Sequence, residues 1–283
     1  VVVNIESTVQ SIQRALEEAE LMAGCEIHSA YTGIAGSHIR SLNSHGIVAI
    51  RDREVHHADI ERVIDAAKAV AIPADQKILH ILPQEYVIDT QDGVREPIGM
   101  CGVRLEAKVH IVTGALSAAQ NIIKCVRRCG LEVADVVLEQ LASSHAVLSD
   151  DEKDLGVCMV DIGGGTTDIA IFTDGSIRHT AVIPIAGDHV TNDVAVALRT
   201  PTKYAEEIKI QHASVLPQQI DAEEEIEVMN VAKRSMRKIP KRSLAHVVSA
   251  RYQELFELVL AELRRSGFEH LVASGVVLTG GAA

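Results

Sequence analysis

The chain has 283 residues, 47% hydrophobic and 23% charged, a globular composition long enough for two domains. Its 27 Lys and Arg against 39 Asp and Glu give a formal charge of -12, which excludes nucleic acid as the main partner, because affinity for a phosphate backbone comes from cations. No apolar run is long enough to span a bilayer, and five cysteines without a secretory leader lead us to expect a reducing cytoplasm and no disulfide framework.

Residues 4–24 read as the first helix: Ile5, Val9, Ile12, Leu16 and Ala19 recur at intervals of three and four, Asn4 is placed to cap the start and Gly24 to stop it. A chain that opens without Met inside such a unit is expected to continue upstream. Residues 27–113 then change to short strands around one helix. Strands are expected at 27–35, 38–50, 77–89 and 103–112 and a helix at 58–71, with the turn residues Asp92, Gly93 and Pro97 between the last two strands. This is a compact α+β module. His56 and His57 beside Asp59 have a ligand-like grouping, but they precede a helix and read as solvated. Ser117 is placed to cap a helix bearing Ile122, Ile123 and Val126 that ends at Gly130; Cys125 and Cys129 lie one turn apart on it, with no second ligand pair nearby. A strand at 133–138 and a helix at 139–148 follow, and the charged run 150–154 reads as a loop between domains.

The rest of the chain is organised around residues 156–172, an apolar strand that ends in Asp161, three glycines and two threonines and then resumes as a second strand. Three adjacent glycines can aim successive N–H groups at one point as an anion nest, and Thr166 and Thr167 can add hydroxyl donors. Asp161 would repel a bare phosphate but could hold the water shell of Mg²⁺, so a metal-nucleotide accounts for both signs. An ordinary glycine-rich turn is the alternative. A third strand is expected at 177–185, then a helix capped at Gly187 and Asp188, and another at 203–211 with Glu206 and Lys209 one turn apart, which alone would be a surface ion pair. Residues 221–227 are acidic, whereas 233–242 carry Lys233, Arg234, Arg237, Lys238, Lys241 and Arg242; both runs read as solvated loop or strand edge, or the basic one attracts an acidic peptide tail. A long helix at 244–265 closes at Gly267. The strand 276–279 runs into Gly280, Gly281, Ala282 and Ala283, small residues that let a base or ribose approach the backbone, and the chain is expected to continue downstream.

Two strand-to-glycine loops with a Glu/Lys helix between them resemble the actin-like ATPase superfamily. More closely, Asp161-Ile-Gly-Gly-Gly-Thr-Thr-Asp-Ile-Ala170 and the segments 182–187, 205–209 and 277–283 resemble the FtsA family of bacterial cell-division proteins, of gammaproteobacterial type, and 79–89 and 107–110 resemble that family's small extra domain. The resemblance implies an α/β fold of two actin-like (ribonuclease-H-like) domains with an inserted small α+β module. Residues 1–28 and 114–150 would be the remainder of the first domain, 29–113 the module, 151–204 and 253–283 the core of the second domain, and 205–252 its subdomain. ATP with Mg²⁺ is the implied cofactor. Gly163, Gly164, Gly165 and Thr166 would cradle the β- and γ-phosphates, Asp161 would hold Mg²⁺ through water, Glu206 and Lys209 would contact ribose and base, and Gly280, Gly281 and Ala282 would line the adenosine. Glu139 would orient water for a slow hydrolysis, with Gln140 equally placed. The implied partners are the FtsZ C-terminal tail, met in the subdomain by the basic run Arg234, Arg237, Lys238, Lys241 and Arg242; further copies in a filament; other divisome proteins through 29–113; and the inner membrane through an amphipathic helix beyond Ala283.

The family's first phosphate loop would lie upstream of Val1 and its membrane helix downstream of Ala283, so this chain is expected to have an incomplete nucleotide site and to be soluble in the cytoplasm, and the full-length protein to sit on the cytoplasmic face of the inner membrane. Residues 232–239 depart from the Gly- and Pro-rich sequence usual in the family. Two other readings fit the same superfamily. A pilus-assembly relative would bind a different inner-membrane peptide, and a sugar kinase would need an additional carboxylate base beside a substrate hydroxyl.

Overall fold

The computed structural model describes residue 2 and residues 4–230 and 235–283. Contacts divide the chain into two units, one of residues 1–159, 168–182 and 270–277, the other of 160–167, 183–269 and 278–283.

The first unit begins with α1 (Ile5–Ala23), where the Asn4 side chain accepts from the Ser7 N–H at 3.1 Å and Gly24 closes the helix at φ 68°. β1 (Ser29–Ile34) runs parallel to β6 (Glu132–Leu138), so a long crossover must separate them, and it contains the inserted module. The module is an antiparallel sheet of β2 (Arg40–Ala49), β3 (Gln76–Ile88), β4 (Gln91–Val94) and β5 (Arg104–Ala115) in the order β2-β5-β3-β4. Val63 and Ala67 of α2 (His57–Lys68) join Leu105, Ala107, Val109 and Ile111 in its core. Gly46 lets the helix come this close, since a Cβ there would stand 2.6 Å from the Ala67 nitrogen.

Three local expectations change here. Asp92 and Gly93 form part of β4, a short strand paired with β3. The helix α3 (Leu116–Arg128) starts before Ser117, with Ala115 at the cap position and no side-chain cap. The charged run becomes α5 (Asp150–Leu155), because Ser149 and Glu152 form a capping box that satisfies the first amides. Between them lies α4 (Glu139–Val147), where the sequence pattern places it.

β7 (Val157–Ile162), β8 (Thr167–Thr173), β9 (Ser176–Ile183) and β12 (Val276–Thr279) are hydrogen-bonded in the order β12-β7-β8-β9, and each has residues in both units. β8 is buried along its whole length. The second unit adds α6 (Gly187–Ala197), α7 (Thr202–His212), β10 (Glu225–Asn230), β11 (Ser235–Pro240) and α8 (Lys241–Ser266). The acidic and basic runs therefore lie side by side in an antiparallel hairpin, Glu227 opposite Lys238 and Val228 opposite Arg237. Ile226 and Val228 point inward to a core with Val190, Val194, Leu244 and Val248. Among the described residues no helix is long and apolar enough to cross a membrane.

Candidate functional site

All ten residues expected around the nucleotide belong to the second unit. The loop after β7 closes when the Gly163 N–H donates to the Thr166 carbonyl at 3.0 Å. The start of α6 then takes up the loop's own carbonyls: the Gly187 N–H donates to Gly163 O at 3.0 Å and the Asp188 N–H to Gly164 O at 2.8 Å. Thr167 Oγ1 fixes the start of β8 by donating to Ile185 O at 2.7 Å. Among the described residues the Gly164 and Gly165 N–H groups have no backbone acceptor, so these two donors could meet an anion.

The last residues close in on the same loop. The Ala282 N–H donates to Ile162 O at 3.0 Å, and the Tyr252 hydroxyl donates to Ala282 O. Gly280 has φ 100°, and a Cβ on it would stand 2.6 Å from Asp161 Oδ1. A Cβ on Gly187 would lie 3.0 Å from the Ala282 Cβ, whereas positions beside Gly165 and Gly281 are open. Glycine at 187 and 280 thus permits the close approach of three chain segments, and the open glycines leave room in front of them.

Glu206 and Lys209 are drawn into this cluster. Lys209 Nζ donates to Gly187 O at 3.2 Å and Thr191 Oγ1 at 2.8 Å and lies 2.8 Å from the Glu206 carboxylate, to which the Thr191 hydroxyl also donates. Burial works to raise the Glu206 carboxyl, but hydrogen bonds from Lys209 and Thr191 and the Lys209 charge outweigh it and hold it below its usual value. The pair is therefore a half-buried brace on the first turn of α6, with Lys209 more enclosed than Glu206.

The sequence pattern missed three contributors. Asp188 is exposed and its carboxylate would come 3.5 Å from a Cβ on Gly164, so a second acid stands beside the loop with Asp161. Thr191 and Tyr252 act through partners distant in the chain. The chemistry of the donor set fits a metal-nucleotide: the Gly164 and Gly165 amides for phosphate oxygens, Asp161 and Asp188 for a hydrated cation, small residues for a ribose or base.

Glu139 belongs to the other unit. α4 turns its first two residues apart: Glu139 is exposed, whereas Gln140 is fully buried and donates from Nε2 to Asp168 Oδ1 at 2.7 Å. The helix start is held from the inserted module, because His80 Nε2 on β3 accepts from the Leu138 N–H at 2.9 Å. Burial keeps this imidazole below its usual pKa against the pull of Asp135, consistent with a neutral acceptor.

The basic run is largely committed to its own subdomain. Arg237 donates to Leu198 O at 2.6 Å, Arg242 to Ile220 O at 2.8 Å, and Lys241 pairs with Glu224 at 2.7 Å. Lys238, 3.9 Å from Glu225, is the loosest, and Arg234 lies outside the described residues. A groove between α6 and α8 opens nearby in sequence, floored by Val196, Ala197, Val247 and Ala250 and edged by Arg251, which Asp193 holds at 2.5 and 3.0 Å and Glu254 at 2.6 Å.

Residues 36–113 match the family model of the SHS2 domain inserted in FtsA, and residues 158–283 match that of cell division protein FtsA. The cell division protein FtsA of Pseudomonas aeruginosa is 72% identical over 281 residues, which are 99% of this chain and 67% of that protein. That of Escherichia coli is 47% identical over 287 residues, covering 99% and 68%. The chain thus spans about two thirds of the length of these relatives. A solved PilM-PilN type IV pilus biogenesis complex matches 98% of this chain and 68% of its own with a TM-score of 0.61 at 15% identity, a likeness of fold alone. Two family models in order along an actin-like α/β fold with an inserted small module, and a relative 72% identical across it, show that the chain belongs to the FtsA family of cell-division proteins.

Proposed function

We propose that this chain is the nucleotide-binding and partner-docking body of a cell-division adaptor that self-associates and links FtsZ filaments to the inner membrane. The observation that carries the nucleotide part is the closure of Gly163–Gly165, the start of α6 and Gly280–Ala282 onto one another, with two loop amides that have no backbone acceptor among the described residues and Asp161 and Asp188 beside them. In this reading Gly164, Gly165 and Thr166 bind phosphate oxygens, Asp161 orients the water shell of Mg²⁺, Glu206 and Lys209 set the ribose and base, and Gly280, Gly281 and Ala282 line the adenosine. Bound Mg-ATP would supply a removable γ-phosphate. Glu139, exposed at the start of α4, is the residue we assign to orienting water for a slow hydrolysis.

Within residues 205–252 and the facing α6, the groove edged by Arg251 supports docking of the FtsZ C-terminal tail better than the basic run does. Its floor is apolar and open, and among the described residues Arg237 of β11 and Arg242 of α8 already serve backbone carbonyls. The membrane link is assigned to a helix beyond Ala283, and contacts with other divisome proteins to the inserted module.

Titrating a fluorescent ATP analogue with and without Mg²⁺, into this chain and into one lengthened at both ends, tests the nucleotide reading. Saturable binding that chelation of Mg²⁺ weakens about tenfold or more in either protein is the expected result. No saturation in either, from protein folded by circular dichroism, would make the glycine turns structural.

A further inference from the structure

The first amides of α6 are spent on the chain itself. The Gly187 N–H donates to Gly163 O at 3.0 Å, the Asp188 N–H to Gly164 O at 2.8 Å and the His189 N–H to Ala186 O at 3.0 Å, while the Ala186 N–H before them donates to His189 Nδ1 at 3.3 Å. A helix start in this condition has few donors left for a phosphate, and what it adds beside the glycine loop is a carboxylate. Asp188 is exposed, and its Oδ1 and Oδ2 would lie 3.5 and 3.6 Å from a Cβ on Gly164, so the acid is packed over the middle of the loop.

No cation of the chain is spent on this acid. Among the described residues Asp188 has no ion pair, and Lys209, the cation drawn into the cluster, is committed to Glu206, Gly187 O and Thr191. Asp161 stands on the other side, its Oδ1 2.6 Å from where a Cβ on Gly280 would be. The two acids differ in what they would disturb if changed. Asp161 lies against a turn that tolerates no added atom, whereas Asp188 is exposed and its backbone bond to Gly164 does not involve the side chain. An acid in the first turn of a helix also favours the helix dipole, a role that acts on stability and takes no account of a metal.

We propose that Asp188 makes nucleotide binding at this loop depend on a divalent cation: its carboxylate repels the phosphates of a metal-free nucleotide and attracts the hydrated cation of a metal-bound one. This rests on the nucleotide reading above and names the residue that sets the metal requirement of that site. The two effects have opposite signs and one cause. Mg²⁺ keeps several of its waters and takes only one or two carboxylates, so a side chain beside the loop can act through the water shell without a direct bond. Charges on an exposed surface are screened by water and salt, so each effect is modest, about threefold in affinity.

Titration of a fluorescent ATP analogue into the parent and into Asp188→Asn, with Mg²⁺ and with Mg²⁺ chelated, on this chain and on one lengthened at both ends, is the test. The substitution is expected to tighten metal-free binding about threefold and to weaken binding in Mg²⁺ about threefold, so the ratio of the two dissociation constants falls about tenfold. Asp188→Glu should keep the parent's ratio. Glu223→Gln, which removes the same charge from an exposed turn elsewhere in the second unit, should leave both affinities unchanged. A role confined to the stability of α6 would move both affinities in one direction and leave the ratio alone. That outcome, a parent-like ratio in Asp188→Asn folded by circular dichroism, or an equal change in Glu223→Gln would overturn the proposal while the nucleotide reading stands. A parent that binds no nucleotide in either length overturns the nucleotide reading and this proposal with it, so binding by the parent tells the two failures apart.

Discussion

At Gly280 no L side chain fits: φ is 100°, and a Cβ would stand 2.6 Å from Asp161 Oδ1 and 2.7 Å from the Ile162 carbonyl carbon. Gly280→Ala is expected to cost about 2 kcal/mol or more in urea denaturation, through backbone strain and displacement of β7's end. An unchanged midpoint would mean that the turn relaxes freely. His110 carries a different kind of constraint. It is buried between Asn43 Oδ1 at 2.7 Å and Thr180 Oγ1 at 3.1 Å, and burial, with the nearby charge of His179, pushes its pKa from 6.5 to about 4. The unfolded chain therefore binds a proton at this position that the folded chain refuses, so stability is fully present above pH 6.5 and falls as pH drops toward 4, by about 3 kcal/mol in total. Urea denaturation of the parent and of His110→Gln across that window should show a shallower pH slope in the variant, and equal slopes would refute the assignment. That Gly163–Gly165 form a tight turn at the end of β7 was legible from sequence, because three adjacent glycines between two apolar strands leave little else for the chain to do there. Lys209 was legible only as half of a pair, since what it braces, Gly187 O and Thr191, lies a helix away in the chain.

Among the elements, β9 shows how the inserted module is attached within the first unit. It ends its sheet, and in place of a further strand its carbonyls receive side chains: Ser41 donates to Thr180 O at 3.2 Å, Asn43 to Arg178 O at 3.2 Å and Gln84 to Ile177 O at 2.8 Å. An open strand edge is thereby covered by β2 and β3 of the module. Gln84 is buried, so Gln84→Ala is expected to cost about 1–3 kcal/mol by leaving the Ile177 carbonyl without its donor. A variant as stable as the parent in thermal or urea unfolding would show that solvent replaces this bond. The periodic elements, α1, β3, β6, α7 and α8, were legible because one face of each is apolar. The exceptions have local causes. The charge of residues 150–154 hid α5, although Ser149 and Glu152 already spelled its capping box, and the turn-like Asp92 and Gly93 hid β4, which exists only by pairing with β3.

Across the whole molecule, the order of motifs identified the actin-like class and the family, because glycine turns at strand ends, a Glu/Lys helix and a closing Gly-Gly recur together for one purpose. How residues share out between units was not legible, since β8 and β9 lie mostly with the first unit although their chain neighbours lie in the second. The same gap affects the proposed partner surface. Sequence pointed to the basic run, yet three of its described cations are held by Leu198 O, Ile220 O and Glu224, which leaves Lys238 as the one available at little structural cost. The groove between α6 and α8 was invisible in sequence because its floor comes from two helices far apart in the chain. Val196 lies there and is 71% exposed, so a charge can be placed on it without disturbing the core. Val196→Glu is therefore expected to weaken binding of an FtsZ C-terminal tail peptide about tenfold or more, because it puts an unpaired carboxylate on the apolar floor of the proposed groove. Lys238→Glu should weaken it by about threefold and flatten its salt dependence, as expected of an exposed charge that steers and does not anchor. Fluorescence anisotropy with the labelled peptide, alongside nucleotide titration to show that the rest of the protein is unchanged, distinguishes the surfaces. Parent-like binding by Val196→Glu combined with loss in Lys238→Glu would move the tail from the groove to the hairpin.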